Sequence, residues 1–342
     1  MIRRTLVGGA VAALALLGLA ACGGGDTASK PAAEKELVFS ILPAESQASS
    51  EPLWRPLIDD LRKETGLNIK LRFVSNYALL VQAMSAKQTD VGWFSALPAL
   101  EATRRANGKV IGRIVDMQGR TGYESVLIVK KGSGITLDKV LACGKTYSFG
   151  LGDAKSTSGT LAPMAFLFGP RNIEPGECFS QVRNANHQAN ALGVANGVVD
   201  VATNNSVGLV FLAKQFPAQA EKIEVIWESP MIPESSIVVR KDLDPATIEK
   251  LRSFFLTYGK AQGPEGDRQR AVLKGLEYGG FLPADDSYLD PVREMEASED
   301  LRKAKRSGDQ AAIKKAQATY DAIHARVVNA AKAEAARTPV AP

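Results

Sequence analysis

From residue 36 onward, apolar runs with the period of a strand alternate with runs that have the period of a helix. Residues 37–42 form the first strand-like run, and a helix ended by Gly66 follows it. The apolar face of that helix consists of Trp54, Leu57, Ile58 and Leu61. Residues 67–74 then alternate apolar and polar side chains, as a half-buried strand does. This order predicts an α/β fold with largely parallel sheets, because helices connect successive strands.

The same alternation continues in two series of elements. The first series goes on with a helix over residues 77–87, a strand over 91–95 and a helix over 96–106. A strand-like run at 125–131 leads into the second series. Its predicted elements cover residues 137–143, 147–151, 158–168, 182–185, 188–196, 199–203, 207–216 and 223–227. A strand at 237–240 and helices at 245–258 and 299–336 follow.

Two series joined in this way predict two lobes, each a mostly parallel sheet flanked by helices. The expected crossings lie near Lys130 and Pro233, so the first lobe takes residues 36–129 and 232–342, including the C-terminal helices, and the second takes 130–231. In such an architecture a ligand binds between the lobes, at the carboxyl ends of the strands. The predicted molecule is therefore a clamshell.

The N-terminus has the pattern of an export signal. Arg3 and Arg4 precede an uncharged apolar run over residues 6–21, which is short for a bilayer-spanning helix of about 20 apolar residues. The run ends at Cys22, in the arrangement at which bacterial lipoprotein precursors are lipidated and cleaved. Residues 1–21 are thus predicted to be a lipoprotein signal peptide and 22–35 a flexible tether, with an uncleaved anchor as the alternative. The working part of the chain is expected to be extracytoplasmic and lipid-anchored to a membrane.

Composition excludes several classes of function. The formal net charge is +5 over 342 residues, with both signs interspersed, which does not indicate a nucleic-acid partner. With only two histidines, no His/Cys cluster suggests a metal site, and no cofactor is expected. Cys143 and Cys178 remain after Cys22, and in an oxidising compartment such a pair favours a disulfide.

The segment 147–159 is the most informative one for chemistry. It contains a strand, a glycine-containing turn and three successive hydroxyl residues, Ser156, Thr157 and Ser158, that open a helix. The N-terminus of a helix has unpaired N–H groups and partial positive charge, so it favours an anion. The bland alternative is that Ser156 or Thr157 only caps its own helix. A nucleotide P-loop is rejected, because the second glycine is missing and the spacing is one residue short.

Other polar residues fall at the same edge of the predicted sheets. His187 ends a strand and opens a helix, where it could reach the same anion, although a structural role is the usual one for a single histidine. The run 200–205 suits backbone capping as well as ligand contact. Tyr77 opens a helix and Tyr123 precedes a strand in the first lobe. Their hydroxyls can donate to an anion, although aromatic residues more often serve packing.

Motifs of catalysis are missing from the sequence. It has no G-x-S-x-G, no H-E-x-x-H and no recognisable pair of catalytic carboxylates. Binding is therefore favoured over catalysis, and the chain is not expected to be an enzyme.

At these motifs the chain resembles the periplasmic phosphonate-binding subunits of phosphate, phosphite and phosphonate ABC transporters. The matching segments, in chain order, are 44–47, the helix at Tyr77, 105–108, 122–129, 152–159, 187–192, 200–205 and 229–233. The resemblance extends from about residue 37 to residue 260 and is weaker in the C-terminal helices.

This resemblance implies a type II periplasmic-binding-protein fold that closes on its ligand. It also implies that Ser156, Thr157, Ser158 and His187 of the second lobe hold the phosphorus oxyanion together with Tyr77 and Tyr123 of the first. The implied partners are a membrane permease and, through it, an ATPase. The alternatives from other classes are a lipid-anchored oxyanion sensor and a phosphate-ester hydrolase.

One departure from the family pattern concerns the ligand. Members that bind aminoalkyl phosphonates have acidic side chains where this sequence has Val207 and Ser235. Without those carboxylates a buried ammonium group would lose its partners, unless Glu234 takes their place. The expected ligand is therefore phosphite, phosphate or a small alkyl phosphonate.

Overall fold

A computed structural model describes residues 36–337. Cys22, the predicted signal peptide and the predicted tether lie outside the described residues. In the described part no helix combines the length and the apolar character that crossing a membrane requires. The strands are β1 (Leu37–Ile41), β2 (Ile69–Phe73), β3 (Val91–Phe94), β4 (Gly108–Asp116), β5 (Gly122–Tyr123), β6 (Ser125–Lys130), β7 (Ser148–Leu151), β8 (Gln181–Asn184), β9 (Val201–Asn205), β10 (Ile223–Glu228), β11 (Ile232–Pro233), β12 (Ser236–Arg240) and β13 (Tyr278–Leu282).

Helices of several kinds connect these strands. The α-helices are α1 (Gln47–Thr65), α2 (Tyr77–Ser85), α3 (Ala96–Arg105), α4 (Leu137–Leu141), α5 (Pro175–Cys178), α6 (His187–Ala195), α7 (Ser206–Gln215), α8 (Pro217–Ala220), α9 (Pro245–Thr257), α10 (Pro264–Gly275), α11 (Asp290–Ser307) and α12 (Gln310–Arg337). Two π-helical segments cover Thr157–Leu161 and Met164–Phe168, and two 3₁₀ turns cover Gly169–Arg171 and Asp286–Leu289.

The first helix shows why the local sequence gives this structure. Ser46 caps α1 by accepting a hydrogen bond from the Ser49 N–H, and Gly66 ends the helix at a φ of 69°, which favours glycine. The predicted apolar face is buried, with Leu57, Ile58 and Leu61 fully inaccessible and Trp54 4% exposed. Burial of such a face, at about 1.5–3 kcal/mol per large side chain, holds α1 against the sheet.

The strands form two larger sheets and one short ribbon. The six-stranded sheet has the order β13-β4-β12-β3-β1-β2, and the five-stranded sheet has the order β10-β6-β9-β7-β8. Both sheets are mixed, although most strands in each described sheet run in the same direction, as the sequence predicts. Helical crossovers make β1 parallel to β2 and β3, and β7 parallel to β8 and β9. Strand β12 runs opposite to both of its neighbours, β3 and β4, and β13 runs opposite to β4. In the second sheet only β6 is reversed, and it is antiparallel to both β9 and β10.

The chain changes sheets earlier than the sequence suggests. Strand β6 pairs with β9 and β10, so residues 125–129 belong to the second sheet although the predicted first lobe includes them. The first crossing therefore lies near Glu124 and not near Lys130. The two crossing segments pair with each other, with Gly122 opposite Pro233 and Tyr123 opposite Ile232. This pairing of β5 with β11 places the two crossing segments side by side, immediately before β6 and β12 begin.

The C-terminal helices contact both halves of the molecule. Helix α11 packs along α12 and also against α3 and the π-helical segment Met164–Phe168. Arg302 of α11 donates to Glu174, which precedes α5 in the second half. The predicted assignment of these helices to the first lobe alone is therefore too simple. In the second half, Cys143 and Cys178 are joined in a disulfide.

Candidate ligand-binding site

A cavity lies between the two sheets, at the ends of strands from both. Its volume of about 60 Å³ is several times the roughly 10–15 Å³ that one water molecule requires. The first half of the molecule contributes side chains from the loop after β1, from α1, from the start of α2 and from the ends of β3 and β4. The second half contributes Ser156, Ser158, His187 and the first turns of α7. The cavity thus has the position expected for a ligand held between lobes.

The predicted anion-binding segment, Ser156 to Ser158, is named the anion seat, and it follows β7. Ser156 caps the π-helical segment, since its Oγ accepts from the Gly159 N–H at 2.9 Å. The capping alternative is therefore correct for Ser156, but the same side chain also lines the cavity. The predicted helix over residues 158–168 is present as π-helical turns that begin at Thr157. A helix terminus of this kind presents backbone N–H groups toward the space in front of it.

A close approach of two glycines fixes the seat to the end of β7. The Gly152 N–H donates to the Gly159 carbonyl at 3.0 Å. A Cβ atom on Gly152 would lie 2.5 Å from the Gly159 Cα, which no real side chain tolerates. A Cβ on Gly159 would also lie 3.2 Å from the His187 ring. Only glycine at both positions lets the seat approach the strand and the histidine together.

Three hydroxyl side chains follow one another in the seat, but they do not all face the cavity. The Oγ atoms of Ser156 and Ser158 lie 3.4 Å and 3.2 Å from the His187 Nε2 atom. The Thr157 Oγ1 accepts instead from the Leu97 N–H of α3, at 2.8 Å, and Thr157 does not line the cavity. The Thr157 side chain thus connects the seat to the other half of the molecule.

His187 is positioned by its backbone and by its cap. It opens α6, whose cap is Asn186, and its own N–H donates to the Ala44 carbonyl at 3.1 Å. The Asn204 side chain donates to the His187 carbonyl at 2.8 Å. Burial lowers the pKa of His187 to about 4, so the ring is neutral at pH 7. Its Nδ1 atom is buried and has no hydrogen-bond partner among the described residues.

Tyr77 and Tyr123 face the seat from the first half of the molecule. Both side chains are buried and both line the cavity. Burial raises the pKa of each phenol well above its usual value, and the carboxyls of Glu45 near Tyr77 and of Glu234 near Tyr123 raise it further. Both hydroxyls therefore remain protonated and can donate hydrogen bonds at every physiological pH.

The cavity provides neutral donors for an anion and no basic side chain. Among the described residues that line it, neither Lys nor Arg is present. The predicted residues that it brings together are Tyr77, Tyr123, Ser156, Ser158 and His187. Helices α2, α3 and α6 begin at or next to lining residues. Hydroxyls, an imidazole and helix N-termini can stabilise an oxyanion without a counter-ion.

The sequence analysis did not single out Ser95 or Glu45, and it named Glu234 only as a possible substitute for the missing carboxylates. Ser95 precedes α3 without capping it, and its Oγ is buried with no partner among the described residues. Glu45 and Glu234 bring carboxyls into the cavity; desolvation raises the pKa of Glu45 to about 7, and burial raises that of Glu234. Glu45 lies in the segment 44–47 that carries the family resemblance, but its position after a strand is one that many surface acids share, so the sequence does not predict its burial. Val207 and Ser235, noted from the sequence, also line the cavity.

Comparison with known proteins connects this geometry to one family. The profile of the periplasmic substrate-binding proteins of phosphonate ABC transporters matches residues 39–289. The phosphonates-binding periplasmic protein of Escherichia coli is 40% identical over 273 residues, which cover 80% of this chain and 79% of that protein. A phosphate-import protein of Mycolicibacterium smegmatis is 27% identical over 289 residues, which cover 81% of this chain and 85% of the relative.

A solved structure supports the same relationship. The binding component of a phosphonate ABC transporter from Pseudomonas aeruginosa superimposes with a TM-score of 0.82 at 33% identity. The match covers 86% of this chain and 99% of that one. The fold is therefore the two-lobed periplasmic-binding-protein fold, with mixed sheets flanked by helices.

Proposed function

The chain belongs to the family of periplasmic substrate-binding proteins of phosphonate ABC transporters, and on that premise we propose that it binds a phosphorus oxyanion between its lobes and delivers it to a membrane permease. The oxyanion is a phosphonate, phosphite or phosphate group. The permease and its ATPase are the proposed partners. Members of this family are transporter components and not enzymes, so the bound ligand is released unchanged.

The observation that supports this proposal is the convergence of neutral donors on one cavity. Ser156, Ser158 and His187 approach it from the second lobe, and Tyr77 and Tyr123 from the first. A hydrogen bond to a charged group contributes about 1.5–3 kcal/mol, so donors from both lobes favour the closed state only when an anion lies between them. Thr157, also predicted as a ligand residue, is proposed to act by joining the seat to α3.

Calorimetry on the purified protein tests the proposal. We expect methylphosphonate, phosphite or phosphate to bind with a Kd in the micromolar range or below, and sulfate to bind more weakly. Replacing the ring donor through His187→Ala should weaken binding at least about tenfold, because one charge-assisted hydrogen bond is lost. Glu228→Gln, an exposed change on β10, serves as the control. Absence of binding by all three oxyanions would refute the proposal.

The lipid anchor is a second part of the proposed function. Cys22 would become the first residue of the mature chain, and residues 22–35 would tether the binding lobes close to the permease. We expect the wild-type protein in the membrane fraction of cells fed a labelled fatty acid, carrying the label. Cys22→Ala should abolish the label and leave binding unchanged in the soluble protein. A labelled Cys22→Ala protein would contradict the assignment.

A further inference from the structure

Two carboxyl groups in the cavity have no cation within salt-bridge distance among the described residues, and the more distant Arg120 offsets only part of the raised pKa of one of them, Glu234. Glu45 and Glu234 both line it, and within residues 36–333 neither takes part in a salt bridge. Desolvation is the cause of the raised pKa of Glu45, and burial is the largest cause for Glu234. Both carboxyls also raise the pKa of Tyr278, so they lie near the same phenol. Uncompensated carboxyls in a closed cavity cost stability, which a bound cation would relieve.

Part of the wall of the same cavity is aromatic. Trp54, Trp93 and Tyr278 all line the cavity. The two indole rings lie 5.6 Å apart, and the Trp54 and Tyr278 rings 6.1 Å apart, so the three form one cluster. Rings of this type attract cations, and clusters of them recognise methylated ammonium groups. Val207 and Phe211 on α7 face the same space with further apolar surface.

Unsatisfied polar atoms independently indicate that a ligand completes this cavity. The Ser95 Oγ and the His187 Nδ1 are buried without a partner among the described residues, in side chains that are 7% and 3% exposed. Both residues line the cavity. Buried polar groups in native proteins are nearly always hydrogen-bonded, so their partners are expected to come from a bound molecule.

We propose that the physiological ligand is a phosphonate whose organic substituent ends in a methylated ammonium group, held between Glu45 and Glu234 and against Trp54, Trp93 and Tyr278. This inference rests on the proposed function, because the oxyanion end occupies the seat at Ser156 and Ser158. It replaces the expectation, drawn from Val207 and Ser235, that the ligand lacks a cation. The carboxyls come from other positions than those two.

The donor and acceptor balance favours a methylated group over a primary ammonium. A primary ammonium carries three N–H donors that need acceptors when buried. One oxygen of Glu234 already accepts from the Ser235 N–H at 2.8 Å, and the Trp93 Nε1 on the same wall is itself a buried donor without a partner among the described residues. A trimethylammonium group has no donor to satisfy, so it requires no acceptor from this wall.

Calorimetry with four matched phosphonates tests the inference. The compounds are methylphosphonate, aminoethylphosphonate, trimethylammonioethylphosphonate and the neutral isostere in which a tert-butyl group replaces the trimethylammonium group. We expect the trimethylammonium compound to bind at least about tenfold more tightly than its neutral isostere and than aminoethylphosphonate. Because the isostere has the same shape, this difference reports the charge alone.

Two variants assign the effect to the carboxyls. Glu45→Gln and Glu234→Gln should each reduce about tenfold the preference for the trimethylammonium compound over its neutral isostere, a ratio in which any effect on the shared phosphonate end cancels. Glu228→Gln, outside the cavity, should leave that ratio unchanged. Equal binding of the charged compound and its isostere, or tighter binding of aminoethylphosphonate, would overturn the inference while methylphosphonate binding still supports the proposed function. If none of the four phosphonates binds, the inference fails, and the proposed function fails with it only if phosphite and phosphate do not bind either.

Discussion

At the scale of single residues, the Glu45 carboxyl is proposed to bind the ligand, and in its ionised form it lowers the stability of the ligand-free protein. Its carboxyl lines the cavity, and desolvation raises its pKa to about 7 from a usual value near 4.5. The folded state therefore holds this proton more tightly than the unfolded state does. The resulting stabilisation is complete below about pH 4.5 and is lost as the pH rises through 7.

The variant Glu45→Gln tests this coupling. An uncharged amide avoids the desolvation cost, so its free energy of unfolding should exceed that of the wild type at pH 8 by about 1–3 kcal/mol. The difference should shrink toward zero at pH 4.5, as measured by urea unfolding without ligand. The phenols of Tyr77 and Tyr278 interact with Glu45, and because their pKa values are raised both stay protonated throughout this range. A difference independent of pH would contradict the assignment.

His187 gives the opposite pH dependence and must be separated from Glu45. Burial lowers its pKa to about 4, so the unfolded chain binds the proton more tightly between pH 4 and 6.5. Its contribution to stability is therefore lost as the pH falls through that interval. Because the wild type and the Glu45→Gln variant both retain His187, its effect cancels in the difference between their free energies of unfolding.

Gly152 allows a second prediction at this scale. Gly152→Ala should lower the free energy of unfolding by about 1–3 kcal/mol, because the new Cβ would overlap the Gly159 backbone. Gly176→Ala is the matched control, since a Cβ there meets nothing within 4 Å. Urea unfolding of both variants measures the effect. Equal stability of the two variants would show that the seat can move away from β7.

Residue types and their positions predict part of this cavity but not its electrostatics. The sequence places Tyr77, Ser156, Ser158 and His187 at the starts of helices and Tyr123 before a strand, the family resemblance implies that they hold the ligand, and all five line the cavity. Glu45 follows a strand, yet nothing in the sequence shows that its carboxyl is desolvated. That property depends on the distant Trp54 and Tyr278, which the fold brings to the same wall.

At the scale of elements, the alternation of helix-like and strand-like runs predicts the order of most elements, but it does not reveal every strand. Strand β4 was missed because Gly108 and Gly112 interrupt its apolar pattern, although it lies between β13 and β12 in the sheet. Strand β13 was missed for a similar reason, since it contains Gly279 and Gly280. Hydrophobic periodicity also does not distinguish π-helical turns from an α-helix, so the form of the seat became visible only in the structure.

Thr157 joins two elements, and its replacement tests that contact. Thr157→Val removes the acceptor for the buried Leu97 N–H of α3, and an unpaired buried donor costs about 1–3 kcal/mol. Because the contact spans the lobes, the cost falls on the closed state, and methylphosphonate binding should weaken about tenfold. Thr157→Ser keeps the acceptor and should bind nearly as the wild type does. Calorimetry distinguishes the two; equal losses would indicate a role for the methyl group instead.

At the scale of the whole molecule, several contacts connect the lobes around the cavity. The His187 N–H donates to the Ala44 carbonyl, the Tyr77 N–H to the Asp153 carboxylate, and the Ser46 N–H to the Gln188 side chain. These bonds use backbone donors of the same segments that line the cavity. Closure and ligand contact are therefore coupled, since both depend on the same positions of α2, α6 and the loop after β1.

The ion pair of Lys155 with Glu101 is the inter-lobe contact with the largest expected effect. Lys155 extends from the loop after β7 to Glu101 of α3, with 2.5 Å between Nζ and Oε1. The Glu101 side chain is only 6% exposed, and its other cation, Arg105, lies at 3.5 Å. In an open molecule water would solvate this carboxylate, so Lys155 compensates a desolvation cost that closure imposes.

Lys155→Met should therefore weaken methylphosphonate binding by about tenfold to thirtyfold, because closure would leave the Glu101 carboxylate without its nearer cation. The double variant Lys155→Met with Glu101→Gln removes that buried charge and should recover most of the affinity. A double-mutant cycle by calorimetry, with both single variants, gives the coupling energy. Small-angle scattering on the ligand-free and saturated proteins should show that saturation restores the same compact form in each variant. If the double variant binds as weakly as Lys155→Met alone, the lysine acts through its own packing and not through Glu101.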